Sequence, residues 1–185
     1  MTNPDIVFIT VDSWRYDAPR RTDWTPTFAS AQTDALCHSE STGGVFPTIF
    51  NSMYASEYSK DVTTHVSLPR CLSNSGYTSG GFVAGNPFCN QWSGDFDTFW
   101  NAGYKQQSGL APLPVRAADY FYRLATLRPE VPAEEVIDRT RTWFQNATRP
   151  RFCWLHLMEP HEPYHPGFSQ AREIGILRSY AALIQ

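Results

Sequence analysis

The sequence predicts an α/β fold, a mostly parallel sheet with helices on both faces. Three observations predict it. Residues 6–11 and 152–157 are continuous β-branched, aromatic and aliphatic runs without alternation, the pattern of strands covered on both sides. Between them, segments with apolar residues at helical spacing alternate with short apolar runs, the order that crossovers of a parallel sheet require. The 185 residues are 42% hydrophobic, 15% aromatic and only 18% charged. A chain of this size can bury about 70% of its unfolded surface in a single domain.

The first strand, Ile6 to Val11, ends on Asp12. Thr25-Pro26 is a helix start with Pro at the first helical position, and Phe28, Ala31, Ala35 and Leu36 give that helix an apolar face ending near Cys37. Ser41-Thr42-Gly43-Gly44 reads as a loop, and Pro47 as the opening of a short helix that buries Ile49, Phe50 and Met53 or Tyr54. Leu68 and Leu72 begin a helix that Gly76 terminates, and residues 77–84 read as a strand weakened by Gly80 and Gly81. Residues 85–114, rich in Asn, Gly, Pro and aromatics, read as a lid or wall excursion. Pro132 opens a helix with Glu134 and Glu135 in its first turn, Val136, Ile137, Thr140, Trp143 and Phe144 on one face, and Arg139 and Arg141 late. Residues 152–157 are the last strand, and Ile174, Leu177, Tyr180, Ala181 and Ile184 recur at helical spacing near the chain end.

Fifteen Lys and Arg against eighteen Asp and Glu give a net charge of -3, which argues against a nucleic-acid partner. No apolar run approaches the roughly 20 residues of a membrane helix, and the first run is too short for a secretory leader, so the expected location is cytoplasmic. Cys37, Cys71, Cys89 and Cys153 show neither C-x-x-C pairing nor zinc-finger spacing and read as reduced thiols. Asn146-Ala147-Thr148 fits a glycosylation acceptor, but that chemistry requires secretion. Neither G-x-G-x-x-G after the first strand nor G-x-x-x-x-G-K-[ST] occurs, which places an ordinary nucleotide-binding domain last among the readings.

In a parallel sheet, ligands sit outside the carboxyl ends of the strands. Three groups fall there or in facing loops: Asp12, the turn at residues 41–48, and Glu159 with His161. A carboxylate fixed by a buried strand and facing the crevice suits a divalent cation; as a plain alternative it caps a loop. His38, His65 and His156 receive no role, His156 because a histidine inside an apolar strand is more often a satisfied core residue.

Residues 9–17, Ile-Thr-Val-Asp-Ser-Trp-Arg-Tyr-Asp, resemble the opening of the sulfatase branch of the alkaline phosphatase superfamily. Thr25-Pro26-Thr27-Phe28 is similar to its next helix start, residues 76–88 with 94–99 to its second unit, and residues 152–164, through Met158-Glu159-Pro160-His161-Glu162-Pro163-Tyr164, to a strand followed by a His-x-Pro loop. Four matches in the family's order span nearly the whole chain. The resemblance implies an alkaline-phosphatase/sulfatase-like domain over residues 1–185 and metal-assisted hydrolysis of a small-molecule or glycan sulfate or phosphate ester. It also implies that Asp12 is a metal ligand and His161 binds the substrate anion, with calcium suiting an all-oxygen site and zinc or manganese one with histidines.

Two departures stand out. The family's nucleophile lies one or two residues before a proline that opens a helix, and here Val45 and Phe46 precede Pro47. Neither can attack an ester. Thr48 just after that proline, favoured by a helix N-terminus, is the candidate nucleophile, with Ser41 and Thr42 the other nearby hydroxyls. In the family, the segment resembling residues 178–185 precedes a strand and an Asp-His pair that completes the metal site. The expectation is therefore an incomplete domain, its metal held partly by residues not in this chain or by a partner segment. The alternative is a non-catalytic binding module that has lost the nucleophile.

Overall fold

A computed structural model describes residues 3–13, 35–36, 39, 41–54, 66–102 and 131–158. The helix expected from Thr25, the loop with Glu159 and His161, residues 103–130 and the helix near the chain end lie outside the described residues.

Four strands form the sheet: β1 (Ile6–Val11), β2 (Thr78–Val83), β3 (Thr98–Asn101) and β4 (Arg151–Leu157). Their order is β1-β4-β2-β3, and every pairing is parallel. β4 lies between β1 and β2, and all seven of its residues are buried, which explains its unbroken apolar reading.

Helices cover both faces, as expected. On one, α3 (Ala133–Asn146) packs Ala133, Val136 and Ile137 against Cys153, Leu155, Leu157 and Phe82. On the other, α1 (Thr42–Asn51), α2 (Leu68–Asn74) and a 3-10 segment (Pro87–Asp95) bring Phe46, Phe50, Leu72, Cys89 and Trp92 onto Phe152 and Trp154. The alternation of β4 divides these cores: odd positions are aliphatic toward α3, even positions aromatic toward α1. Phe50 and Trp154 meet edge to face at 4.7 Å, one of several aromatic contacts there. Each such fully buried side chain contributes about 1.5–3 kcal/mol.

Two expectations change. α1 begins at Thr42, five residues before Pro47, so the proline lies inside the helix and Gly43-Gly44 are helical. A Cβ on Gly44 would collide with the Ser39 side chain, so this glycine serves close approach and not a loop. Residues 85–114 are no simple excursion, because the 3-10 segment and β3 lie within them and β3 extends the sheet. Gly80 and Gly81 also have a packing reason: a Cβ would meet the Trp143 ring at 2.8 Å in one case and the Phe99 ring at 2.8 Å in the other. No helix among the described residues is long and apolar enough to cross a membrane.

Candidate active site at the carboxyl ends of β1 and β4

Asp12 continues the ladder one residue past β1, its N–H donating to Leu157 O at 2.8 Å. Ser13 follows with φ +56°, so the chain turns sharply as the carboxylate leaves the strand. By the parity of β1, Thr10 and Asp12 fall on the face of Ile6 and Phe8, the α1 face. That face is apolar through Phe8 and turns polar at the strand end.

Three neighbours define the surroundings of Asp12. Thr42, the first residue of α1, donates from Oγ1 to Asp12 Oδ2 at 3.2 Å. His156, opposite Thr10 in the β1–β4 register, places Nε2 3.9 Å from the same oxygen. Buried Cys89 lies within the field of the carboxylate: burial, with the Asp12 charge adding, pushes its thiol well above the ordinary range and keeps it an inert S–H. Asp12, Thr42, Ser41, Val45, Thr10 and His156 share a cavity of about 440 Å³.

A larger cavity of about 1110 Å³ lies along the α3 face of β2 and β3, between Trp100 and Trp143. It does not sit at the strand ends, and its charged groups are already engaged: Arg139 pairs with Glu135 at 2.9 Å and overlies the Trp100 ring at 4.3 Å. The smaller cavity is the better candidate, because it brings Asp12, Thr42 and His156 together and lies where parallel sheets bind ligands.

His156 is 1% exposed and tightly held. Nδ1 is 2.9 Å from Thr10 Oγ1, which also accepts the Trp154 indole N–H at 3.0 Å and lies 3.2 Å from Leu155 O. On the other edge, Asn86 Nδ2 is 3.3 Å from Nε2. The Asn86 amide is oriented by Phe88 N–H, which donates to its Oδ1 at 3.0 Å. The ring thus lies between Thr10 on its Nδ1 edge and Asn86 on its Nε2 edge.

Of the sequence candidates, Asp12 is at the cavity and His161 lies outside the described residues. Thr48 is placed elsewhere. It sits in the second turn of α1, not the first, its hydroxyl donates to Met53 O at 2.5 Å, and it does not line the Asp12 cavity. The helix-dipole argument for Thr48 fails because the helix starts earlier. The hydroxyl that reaches Asp12 is Thr42, and Val45, where a nucleophile would precede the proline, lines the cavity with an inert side chain.

The sulfatase family model matches residues 4–184. The chain belongs to the sulfatase family. No curated protein and no solved structure matches it. The family match covers both the described strands and the segment with His161, and the all-parallel sheet with helices on both faces is consistent with a sulfatase fold. Sulfatases form a hydrolase family that generally uses a divalent metal, so the donors of this sulfatase chain can be compared with that need. Asp12 Oδ2, Thr42 Oγ1 and His156 Nε2 converge on one cavity as a mixed oxygen and nitrogen set. They are too few to close the shell of a divalent cation by themselves. No group of three or more His, Cys, Asp or Glu that could hold a metal occurs among the described residues.

Proposed function

We propose that this sulfatase hydrolyses a sulfate or phosphate ester of a small molecule or glycan at the Asp12 cavity, with Asp12 as one ligand of a divalent cation and Thr42 as the attacking hydroxyl. The observation that carries the reading is the Thr42–Asp12 hydrogen bond in a cavity at the carboxyl ends of adjacent parallel strands. A bound cation would supply charge screening of the anion and a lower pKa for a nearby hydroxyl. Asp12 and the hydroxyl of Thr42 would hold it. With one carboxylate among the three convergent donors, Asp12 is one ligand of several, because a hard cation takes about six oxygens.

The chemistry of the chain's own groups is then simple. Thr42 Oγ1 forms a bond to sulfur or phosphorus as the bond to the ester alcohol breaks. Its proton passes to Asp12 Oδ2, 3.2 Å away, and ends on the departing alcohol. Water reverses the sequence and frees the inorganic anion. Thr42 lies at the start of a ten-residue helix, where exposed N–H groups favour the negative charge that develops on the ester oxygens. His161 is the proposed anion-binding histidine, by resemblance to the His-x-Pro loop.

A second reading has its own observation. Val45 and Phe46 stand where the resembling family carries its nucleophile, and Val45 lines the cavity, which supports a non-catalytic sulfatase-fold binding module. Hydrolysis of aryl sulfate and aryl phosphate in the presence of Ca²⁺, Mn²⁺ or Zn²⁺ separates the two. Under the hydrolase reading, Asp12→Ala and Thr42→Val each abolish turnover while circular dichroism and thermal melting stay near wild type. Turnover that survives Thr42→Val would remove Thr42 from the chemistry. A wild-type chain that binds the metal and the anion yet turns over neither ester would leave the binding module standing.

A further inference from the structure

We infer that the Asp12 cavity selects esters of apolar alcohols over esters of sugars, and that Val45 and Ile49 make the selection. The inference rests on the reading of Thr42 as the attacking hydroxyl and adds to it the class of alcohol that leaves.

Three observations carry it. The first is one face of α1. Thr42, Val45, Phe46 and Ile49 all line the cavity, at the i, i+3, i+4, i+7 spacing that puts residues on one side of a helix. Thr42 opens that face, and the three residues after it are apolar. The second is exposure. Phe46 and Phe50 are 4% and 2% exposed, whereas Ile49, between them in the same helix, is 37% exposed. An aliphatic side chain that lines a cavity and still meets water gains from an apolar group laid over it. The third is the division of the lining. The hydroxyls of Ser13, Ser39 and Ser41 come from the chain just after β1 and just before α1, beside Asp12 and Thr42. Val45 and Ile49 lie one and two turns along the helix, about 4.5 and 10.5 Å from Thr42 in axial distance.

The sulfur or phosphorus of the ester is held at the hydroxyl end, and its alcohol points away from Thr42 Oγ1. The lining away from that end is Val45 and Ile49. An alkyl chain or an apolar ring removes its surface from water there without giving up a hydrogen bond. A sugar carries a hydroxyl on nearly every carbon, and aliphatic side chains offer none of them a partner, so each hydroxyl turned to this wall loses a bond it had with water. Val45 therefore has a role of its own at the position where a nucleophile would precede the proline: it is part of the wall.

The full chain, with Ca²⁺, Mn²⁺ or Zn²⁺ present, provides the test by calorimetric titration with alkanesulfonates. Their C–S bond resists this chemistry, so binding is read apart from turnover. Affinity is expected to rise at least roughly tenfold from methanesulfonate to hexanesulfonate. Propanesulfonate should bind several times tighter than isethionate, which has the same length and ends in a hydroxyl. Ile49→Asn and Val45→Thr should each lower hexanesulfonate affinity by about threefold or more and leave methanesulfonate within about twofold of wild type. The partial exposure of both side chains lets these variants fold, which thermal melts check. Affinity that stays flat with chain length, isethionate that binds as tightly as propanesulfonate, or a chain-length dependence that both variants keep overturns the selection. The reading of Asp12 and Thr42 then still stands on methanesulfonate binding that Asp12→Ala abolishes. A folded chain that binds no sulfonate overturns both.

Discussion

Asp5 and Asp12 bracket β1, one just before the strand and one just after it, and their side chains are almost equally exposed, at 18% and 17%. Their surroundings are opposite. Asp5 is pinned: Oδ1 accepts the Arg151 N–H at 3.0 Å, Oδ2 pairs with the Arg151 guanidinium at 2.5 Å, and Arg149 adds a third contact at 3.1 Å. Arg151 is itself held from behind, donating to Phe144 O and lying over the Phe144 ring. Asp12 has the Thr42 hydroxyl, the His156 ring at 3.9 Å and a cavity. A carboxylate whose charge is already matched holds the fold together. One that meets a hydroxyl and a histidine at the mouth of a cavity is placed to hold something that is not part of the chain.

Paired substitutions sharpen that contrast. Asp5→Asn is expected to lower the unfolding free energy by about 2 kcal/mol, since it leaves the Arg151 charge, 9% exposed in its side chain, with weaker partners. Among the described residues Arg151 Nε has no hydrogen-bond partner, so the side chain has little slack. The hydrolysis rate per folded molecule should not change. Asp12→Asn should do the reverse, leaving stability within about 0.5 kcal/mol of wild type in chelator, because no buried cation loses its partner, and removing metal affinity. Denaturant titrations of both variants decide it; a loss at Asp12 equal to that at Asp5 would mean that both carboxylates serve the fold.

Acid extends the same argument. Hydrogen bonds from Arg151, with the Arg151 and Arg149 charges, hold the Asp5 carboxyl below its ordinary range against a partial opposing effect of burial. A carboxyl with a lowered folded pKa stabilises fully above its unfolded value of about 4, and the contribution disappears as pH falls through the folded value. The stability difference between wild type and Asp5→Asn is therefore expected to be constant from pH 7 to about 5, to shrink below about 4 and to vanish in stronger acid. Thermal melts across that range check it, and a difference that persists undiminished at pH 2 would show that the aspartate acts through packing and not charge.

Three of the four strands, and the position of Asp12 at the end of one, were legible because they are written locally. An apolar run without alternation signals a strand buried on both faces, and an acidic residue at its end is visible in seven consecutive letters. α1 was legible only in part: Phe50 and Met53 are buried as read, but Ile49 is 37% exposed and Phe46 takes a core place instead, while Gly43-Gly44 signal a loop in isolation, and only the approach of Ser39 shows why glycine stands inside a helix. Thr42 was thus passed over for Thr48. His156 is the buried, hydrogen-bonded core residue that the sequence suggested, but its partners were not legible. Its partner Thr10 is 146 residues away and faces it only because β4 lies beside β1, a strand order that no local pattern encodes. One clue was available: Thr10 and Asp12 share a parity, so the α1 face of β1 had to become polar at its end, and some polar group from a neighbouring strand had to meet it.

Glu135 completes the comparison as a carboxylate that is matched but not buried. It pairs with Arg139 one helical turn later at 2.9 Å, with side chains 44% and 49% exposed. Water already screens both charges, and the Arg139 guanidinium keeps its seat over Trp100 whether or not the glutamate is charged. Glu135→Gln should therefore cost only about 0.3–0.5 kcal/mol, less still in high salt, and leave metal binding untouched. The same substitution chemistry, removal of one negative charge, would then have three outcomes set by surroundings alone: function lost at Asp12, stability lost at Asp5, and almost nothing at Glu135. A loss at Glu135 as large as at Asp5, measured in the same denaturant series, would mean that pairing rather than burial decides what a carboxylate does in this chain, and would weaken the argument that singles out Asp12.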